Sequence, residues 1–235
     1  MLVAAAVCPC PPLLVPEVAA GAAPELDAAR TACADAVGVL AASRPDRLYV
    51  VGPAAGADRT EYPQGAAGSF AGFGVDLTVR LGAGPEGERA LPASLAVAAW
   101  LLERERWAAA PVTGLGVGEG RGTADCAADG RELAGAAERV ALLVMGDGSA
   151  CRTLKAPGYL DERAAPFDAD VARALAAADT AALLGLDEGL ARELRAAGRA
   201  PWQVLAGAAE GAGLDGRLLH EDAPYGVGYF VAAWT

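Results

Sequence analysis

Apolar residues in this chain recur as short continuous runs separated by longer stretches with helical spacing. Short runs of β-branched and other apolar residues are typical of strands buried on both faces. One later run alternates apolar and polar side chains, as a half-exposed strand does. The predicted strands are Leu2–Cys8, Arg47–Gly52, Phe73–Leu81, Val112–Val117, Val140–Met145 and two closing runs, Arg217–His220 and Val227–Trp234.

The Ala-rich stretches between these runs place apolar residues three and four positions apart, which predicts amphipathic helices. The predicted helices are Pro24–Ala42, Pro92–Arg106, Ala124–Glu138, Asp168–Asp179 and one or two within residues 187–212. Residues 53–72 are rich in glycine and alanine and predict a long loop. A second loop is predicted over Ala150–Pro166.

This alternation of strands and helices predicts one α/β domain spanning residues 1–235. Its central sheet is expected to be mixed and mostly parallel, with helices on both faces and the closing runs as an antiparallel edge. Ligands bind such sheets where strands end and loops begin. Three loops qualify: Cys8–Pro12, Gly52–Gly56 and Gly146–Cys151.

Composition narrows the range of partners. The formal net charge of −11 disfavours binding to nucleic acid or to an anionic membrane surface. No apolar run is long enough to span a bilayer, and no basic segment precedes the first apolar run. We therefore expect a cytoplasmic protein with a small-molecule or protein partner; a homodimer is left open. The five cysteines are expected to be free thiols.

Cys8 and Cys10 form a Cys-x-Cys pair at the end of the first strand. They are weak metal-ligand candidates, because a zinc site normally needs four ligands and no second cysteine pair follows. The alternative is that both are small buried residues.

The second constellation follows the strand Val140–Met145. Asp147 is a candidate base or turn cap, and Cys151 is a candidate nucleophile. Ser149 lacks the second glycine of a nucleophile elbow, which disfavours a serine hydrolase. Either nucleophile would need His220, the single histidine of the chain, within hydrogen-bond reach. Asp147, Cys151 and His220 are thus the catalytic candidates.

Three blocks of sequence carry a resemblance to a known family. They are residues 8–18 (CPCPPLLVPEV), residues 146–168 with GDGS, APGY and PFD in order, and residues 223–229 (APYGVGY). In their order and spacing they resemble the catalytic B-subunit (LigB-like) family of class III extradiol ring-cleaving dioxygenases, which includes the Memo proteins. The resemblance runs over most of the chain and implies a LigB-like domain.

The resemblance implies non-haem Fe(II) held by two histidines and a carboxylate, with another histidine as acid/base. This chain departs from that pattern: the corresponding positions are Cys10, Ala54, Ala150 and the segment Ala196–Gly198. No bound metal or other cofactor is therefore expected. The expected function is a non-catalytic or altered binding member of the family; the alternative is an oxidoreductase or other enzyme with a rebuilt thiol-rich site. The expected binding cleft comprises Cys8, Cys10, Pro12, Ala54, Asp147, Ser149, Ala150 and Cys151.

Overall fold

The computed structural model describes residues 1–85 and 87–235, and within them strands and helices alternate. The predicted strand Phe73–Leu81 is wrong over its first half, because Ala71–Phe73 is a 3-10 helix and the strand covers only Thr78–Arg80. The strands are β1 (Leu2–Cys8), β2 (Arg47–Ala54), β3 (Arg59–Tyr62), β4 (Ala67–Ser69), β5 (Thr78–Arg80), β6 (Val112–Gly118), β7 (Val140–Met145), β8 (Gly216–Asp222) and β9 (Tyr229–Trp234). The α-helices are α1 (Pro16–Ala19), α2 (Asp27–Ala42), α3 (Ala93–Arg104), α4 (Thr123–Gly135), α5 (Ala164–Ala176), α6 (Thr180–Leu184), α7 (Glu188–Glu193) and α8 (Arg199–Ala209).

Seven strands form one mixed sheet in the order β3-β6-β2-β7-β1-β9-β8. The central four, β6, β2, β7 and β1, are parallel, and β3, β9 and β8 add antiparallel pairing at the two edges. β4 and β5 pair separately as a small antiparallel ribbon. The single α/β domain with a mostly parallel sheet is thus confirmed, and so is the antiparallel edge made by the closing strands.

The central strands are buried on both faces because helices cover each side. β7 is buried at every position, and its side chains alternate between two apolar layers. One layer packs under α2 and α3, and the other under α4, α5 and α8. Each fully buried Leu or Val stabilises the folded state by about 1.5–3 kcal/mol. Because the strands have such residues in both layers, both layers hold the same strands in place.

Several boundaries differ from the sequence prediction. The predicted loop over residues 53–72 contains β3 and β4, and the first of these is an edge strand with polar side chains that obscure its pairing. α5 begins at Ala164, four residues before the predicted start, and takes Pro166 into its first turn, where a missing N–H is tolerated. α6 was not predicted; the Asp179 side chain caps it by accepting the Ala182 N–H.

The topology favours a ligand site at the carboxyl edge of the sheet. After β2 the chain leaves towards β6, whereas after the neighbouring β7 it leaves towards β9 and β8. Adjacent strands whose connections diverge in this way open a gap where ligands bind in α/β sheets. The part of the chain that the structure describes holds no helix of the length and apolarity that a bilayer crossing requires.

Candidate functional site

The loops after β1 and β7 are joined by a hydrogen bond between two of the predicted site residues. Cys8 lies opposite Met145 in the parallel ladder, and the Gly146 N–H continues that ladder to the Cys8 carbonyl at 3.0 Å. Beyond it, the Cys10 backbone N–H donates to Asp147 Oδ1 at 2.8 Å. Proline-stiffened backbone therefore presents Cys10 to a carboxyl group 137 residues away in sequence.

The electrostatics of this pair favour proton exchange at the carboxyl group and not at the thiol. Burial raises the pKa of Asp147 to about 7, and hydrogen bonds from Cys10 only partly oppose that rise. Burial, with the charges of Asp147 and Glu119, holds the pKa of Cys10 well above its ordinary value. Since thiolate is the reactive form, Cys10 is a protonated, poorly nucleophilic thiol at neutral pH.

Tyr229 lies near enough to Asp147 and Cys10 for their charges to act on its phenol, and it was not predicted as a site residue. It opens β9 and is buried. Burial, and then the charge of Asp147, raise the pKa of the Tyr229 phenol, so the hydroxyl stays protonated. The only signal in the sequence was its position at the end of the third resemblance block.

Cys8 lies deeper than Cys10 and faces a helix. It has no exposed surface, and its side chain interacts with that of Cys33 on α2. This contact, followed by burial, raises the pKa of Cys33 well above its ordinary value. Both cysteines are free, and they pack in the apolar layer under α2.

Ser149 is held in a buried polar cluster with Asp168, the residue at which the sequence predicts a helix to begin. The Ser149 N–H and Oγ–H donate to the two carboxylate oxygens of Asp168, each at 2.8 Å, and Arg152 Nη1 lies 3.0 Å from Asp168 Oδ2. Ser149 and Asp168 have no exposed surface. The serine hydroxyl is thus occupied in fastening the β7 loop to α5.

The remaining candidates are not gathered with Cys10. Cys151 packs in the opposite apolar layer, where its thiol lies 3.5 Å from the Leu194 carbonyl. The N–H of its neighbour Ala150 donates to that same carbonyl. His220 lies on the edge strand β8, where it pairs with Val231 of β9. β8 is two strand spacings, or about 10 Å, from β1. The structure therefore brings Cys10 and Asp147 together and places Cys151 and His220 elsewhere.

The donor set does not fit the Fe(II) that the resemblance implies. Of the corresponding positions, Cys10 offers one protonated thiol, while Ala54, Ala150, Ala196 and Ala197 offer only methyl groups. Across residues 1–85 and 87–235, no group of three His, Cys, Asp or Glu side chains is arranged to hold a metal ion.

A cavity of about 480 Å³ opens at the carboxyl edge, beside the ends of β2 and β6. Its wall contains Gly56, Glu119, Gly120, Glu188, Ala191, Arg192, Arg195, Ala196, Ala197, Arg199 and Ala200. The cavity adjoins the Asp147 loop, because the Gly198 N–H, next to Ala197, donates to the Asp147 carbonyl at 2.8 Å. These arginines were not predicted as site residues; their signal in the sequence was the spacing of Arg195 and Arg199, four residues apart before Pro201.

Comparison with known proteins supports the architecture. No protein-family model matches the chain, and no curated protein matches it. A solved structure titled "Crystal structure of uncharacterized protein JW3007 from Escherichia coli K12" superposes with a TM-score of 0.56. It is 14% identical in sequence and the match covers 99% of each chain. This likeness shows a shared fold.

Proposed function

We propose that this protein belongs to the LigB-like fold family and binds a small molecule in the cavity at the carboxyl edge, without iron-dependent ring cleavage. The observation that carries the proposal is the cavity itself. It lies at the edge where the parallel strands end, and its wall contains Ala196 and Ala197, in the segment where the resemblance implies a metal ligand. Its volume of about 480 Å³ is within the usual range for small-molecule sites.

The residues around the cavity support binding better than redox chemistry. Methyl groups at Ala196 and Ala197 leave room for a ligand and supply no metal ligand. Asp147 reaches the cavity wall only through its carbonyl, which accepts the Gly198 N–H, while its side chain faces Cys10. Its carboxyl group has a pKa of about 7 and can hold or release one proton near neutral pH. No step through iron follows from this set.

The first experiment separates this proposal from a working dioxygenase. Purified protein is incubated anaerobically with Fe(II), desalted and analysed for metal, and oxygen uptake is then followed with catechol. We expect iron well below one equivalent and no oxygen uptake above the protein-free rate. Stoichiometric iron together with catechol-dependent oxygen uptake would overturn the proposal.

The second experiment tests binding in the cavity. A library of small organic molecules is screened by ligand-induced stabilisation of the full chain, and the ligands found are titrated against Ala197→Trp, which fills the cavity. We expect affinity to fall at least tenfold. Ala71→Trp, an exposed position outside the cavity wall, is the matched control. Ligands that bind both variants as tightly as the parent would count against the cavity as the binding site.

A rebuilt thiol enzyme is the second candidate, and the direct contact between Cys10 and Asp147 favours it. That candidate requires Cys10 to react faster with iodoacetamide than a free thiol does. We expect slower reaction, because the raised pKa of Cys10 leaves little thiolate. Cys10→Ser identifies the modified site by mass spectrometry, and rapid, Cys10-specific alkylation would favour the enzyme.

A further inference from the structure

We propose that the cavity recognises an oxyanion, a carboxylate or phosphate group carried by a small organic molecule, with Arg199 as its principal contact. This inference rests on the proposed function, since it names the ligand chemistry of the same cavity. Four features of the cavity wall support it: the charge of Arg199, the exposed arginines at the rim, the start of α8, and the disposition of the two carboxylates.

Arg199 carries a buried positive charge without a countercharge in contact. Its side chain is only 3% exposed, and its guanidinium donates to neutral acceptors alone. Nη1 lies 2.6 Å from the Arg121 carbonyl and 2.9 Å from Gln203 Oε1, and Nη2 donates to the Glu119 carbonyl. No carboxylate of the described residues forms an ion pair with it. Burying a charge that has no countercharge in contact is costly.

Other buried or partly buried arginines of the chain are paired with carboxylates. Arg30, which is 5% exposed, forms an ion pair with Asp27 at 2.5 Å. Arg59 and Arg121 share Asp129, at 2.9 Å and 2.5 Å. Arg199 differs from these in that it lines a cavity and its charge is coupled to Glu188 without an ion-pair contact, so an anion entering the cavity would supply a countercharge in direct contact.

The start of α8 adds to the positive potential. Ala197, Arg199 and Ala200 line the cavity where this 11-residue helix begins. No side chain caps its N-terminus and its first turn contains no acidic residue. The Gly198 and Arg199 N–H groups already donate to the Asp147 and Ala196 carbonyls, and Pro201 has no N–H, so this end contributes through the helix dipole, which favours a negative charge. The exposed Arg192 and Arg195 stand at the rim on the same side.

Two carboxylates, Glu119 and Glu188, also line the cavity. Their negative charges limit the bound anion to one carboxylate or phosphate group. Glu188 is engaged elsewhere, since its Oε1 accepts the Thr123 N–H at 2.7 Å and the Thr123 hydroxyl at 2.8 Å. Those hydrogen bonds, and then the charges of Arg199 and Arg192, lower the pKa of Glu188 and keep it charged. Glu119 is exposed. Three arginines against two glutamates leave one net positive charge, before the helix dipole is added.

Four probes of similar size test the preference on the full chain: benzoate, phenyl phosphate, neutral benzamide and cationic benzylammonium. Calorimetric titration at fixed ionic strength should show benzoate or phenyl phosphate binding at least tenfold more tightly than benzamide, with benzylammonium weakest. Arg199→Gln should lower the oxyanion's affinity ~10–100-fold, the usual value of a hydrogen bond to a charged group, and leave benzamide binding unchanged.

Variants at the rim keep the test decisive if Arg199→Gln does not fold. Arg192→Gln and Arg195→Gln should each weaken oxyanion binding by up to about fivefold, as expected for exposed charges. Glu119→Gln should strengthen it. Arg173→Gln changes an exposed arginine of α5 outside the cavity wall and should have no effect.

Two results would overturn the oxyanion subsite, and they bear differently on the proposed function. If benzamide binds as tightly as benzoate and Ala197→Trp abolishes both, the cavity binds small molecules without anion preference. If the oxyanion binds but is unaffected by the variants at residues 192, 195, 197 and 199, the anion site lies elsewhere, and the proposed binding function of this cavity loses its support as well.

Discussion

At the scale of single residues, the site depends on one carboxyl group in an unfavourable environment. Asp147 accepts hydrogen bonds from Cys10 but lies where burial penalises its charge. Its backbone carbonyl, by contrast, binds the Gly198 N–H beside the cavity. The same residue therefore fixes the loop through its main chain and supplies a titratable group through its side chain.

This environment predicts how stability depends on pH. The unfolded pKa is about 3.9 and the folded pKa is about 7, so between these values the folded protein holds a proton that the unfolded chain has released. The contribution of Asp147 to stability is full below pH 4 and is lost as the pH rises to 7. Asp147→Asn cannot ionise and still accepts the Cys10 N–H.

Urea unfolding of both proteins between pH 4 and 8 measures the effect. The variant should match the parent at pH 4 and exceed its free energy of unfolding by on the order of 2–4 kcal/mol at pH 8. Asp170→Asn, an exposed carboxylate on α5, controls for net charge. A constant difference across the range would contradict the raised pKa.

A glycine next to Asp168 provides a second residue-scale prediction. A Cβ on Gly228 would lie 2.6 Å from Asp168 Oδ2, inside the buried cluster that holds Ser149. Gly228→Ala should therefore cost about 1–3 kcal/mol of stability by overpacking. Gly38→Ala in α2, where a Cβ meets nothing within 4 Å, should instead stabilise by about 0.5–1 kcal/mol. Denaturant midpoints, compared at equal m-values, test both variants. Equal changes in the stability of the two variants would refute the packing argument.

At the scale of elements, short helices shape the cavity more than the sheet does. α7 has only six residues, yet it brings Glu188, Ala191 and Arg192 to the cavity wall. A helix so short is marginal by itself. Its Asp187 cap, whose Oδ1 accepts the Leu190 N–H at 2.6 Å, is therefore an important part of the structure around the site.

Removing that cap should loosen the cavity wall. Asp187→Ala should cost about 1 kcal/mol and raise the amide exchange rate of Leu190. Asp187→Asn retains a capping oxygen and should restore most of the protection. Exchange measured by NMR reports the change locally; unchanged Leu190 protection in the alanine variant would show that tertiary packing alone holds α7.

The sequence predicted some strands to the residue and missed others. The bounds of β1 and β7 were predicted to the residue, because fully apolar runs of six or seven residues fit a strand buried on both faces. β3 was missed because its Arg-Thr-Glu-Tyr pattern belongs to an edge and depends on pairing with distant β6. Local sequence shows which apolar runs form buried strands, but it lacks the long-range pairing that defines an edge strand.

The candidate site was predictable only in outline. Parallel topology placed Cys10 and Asp147 at the same edge, but their hydrogen bond depends on loop geometry that no spacing rule supplies. Arg199 was overlooked because arginines in helical segments are usually solvated, and only the packed structure shows it buried among carbonyls. The function itself stays a prediction that rests on resemblance and on the cavity.

At the scale of the whole molecule, both apolar layers share strands β1, β2, β7 and β9, so neither should unfold alone. Trp234 on β9 tests this, since its Nε1–H donates to the Leu175 carbonyl in the last turn of α5 at 2.8 Å, within one layer. Trp234→Phe leaves that buried carbonyl without its partner and should cost about 1–3 kcal/mol. Because the loss is shared, amide protection in α3, under the opposite layer, should fall as much as in α8.

Trp107→Phe removes a similar bond to Ala110 at a half-buried site and should cost less. Protection lost in α8 but kept in α3 would mean that the two layers unfold independently.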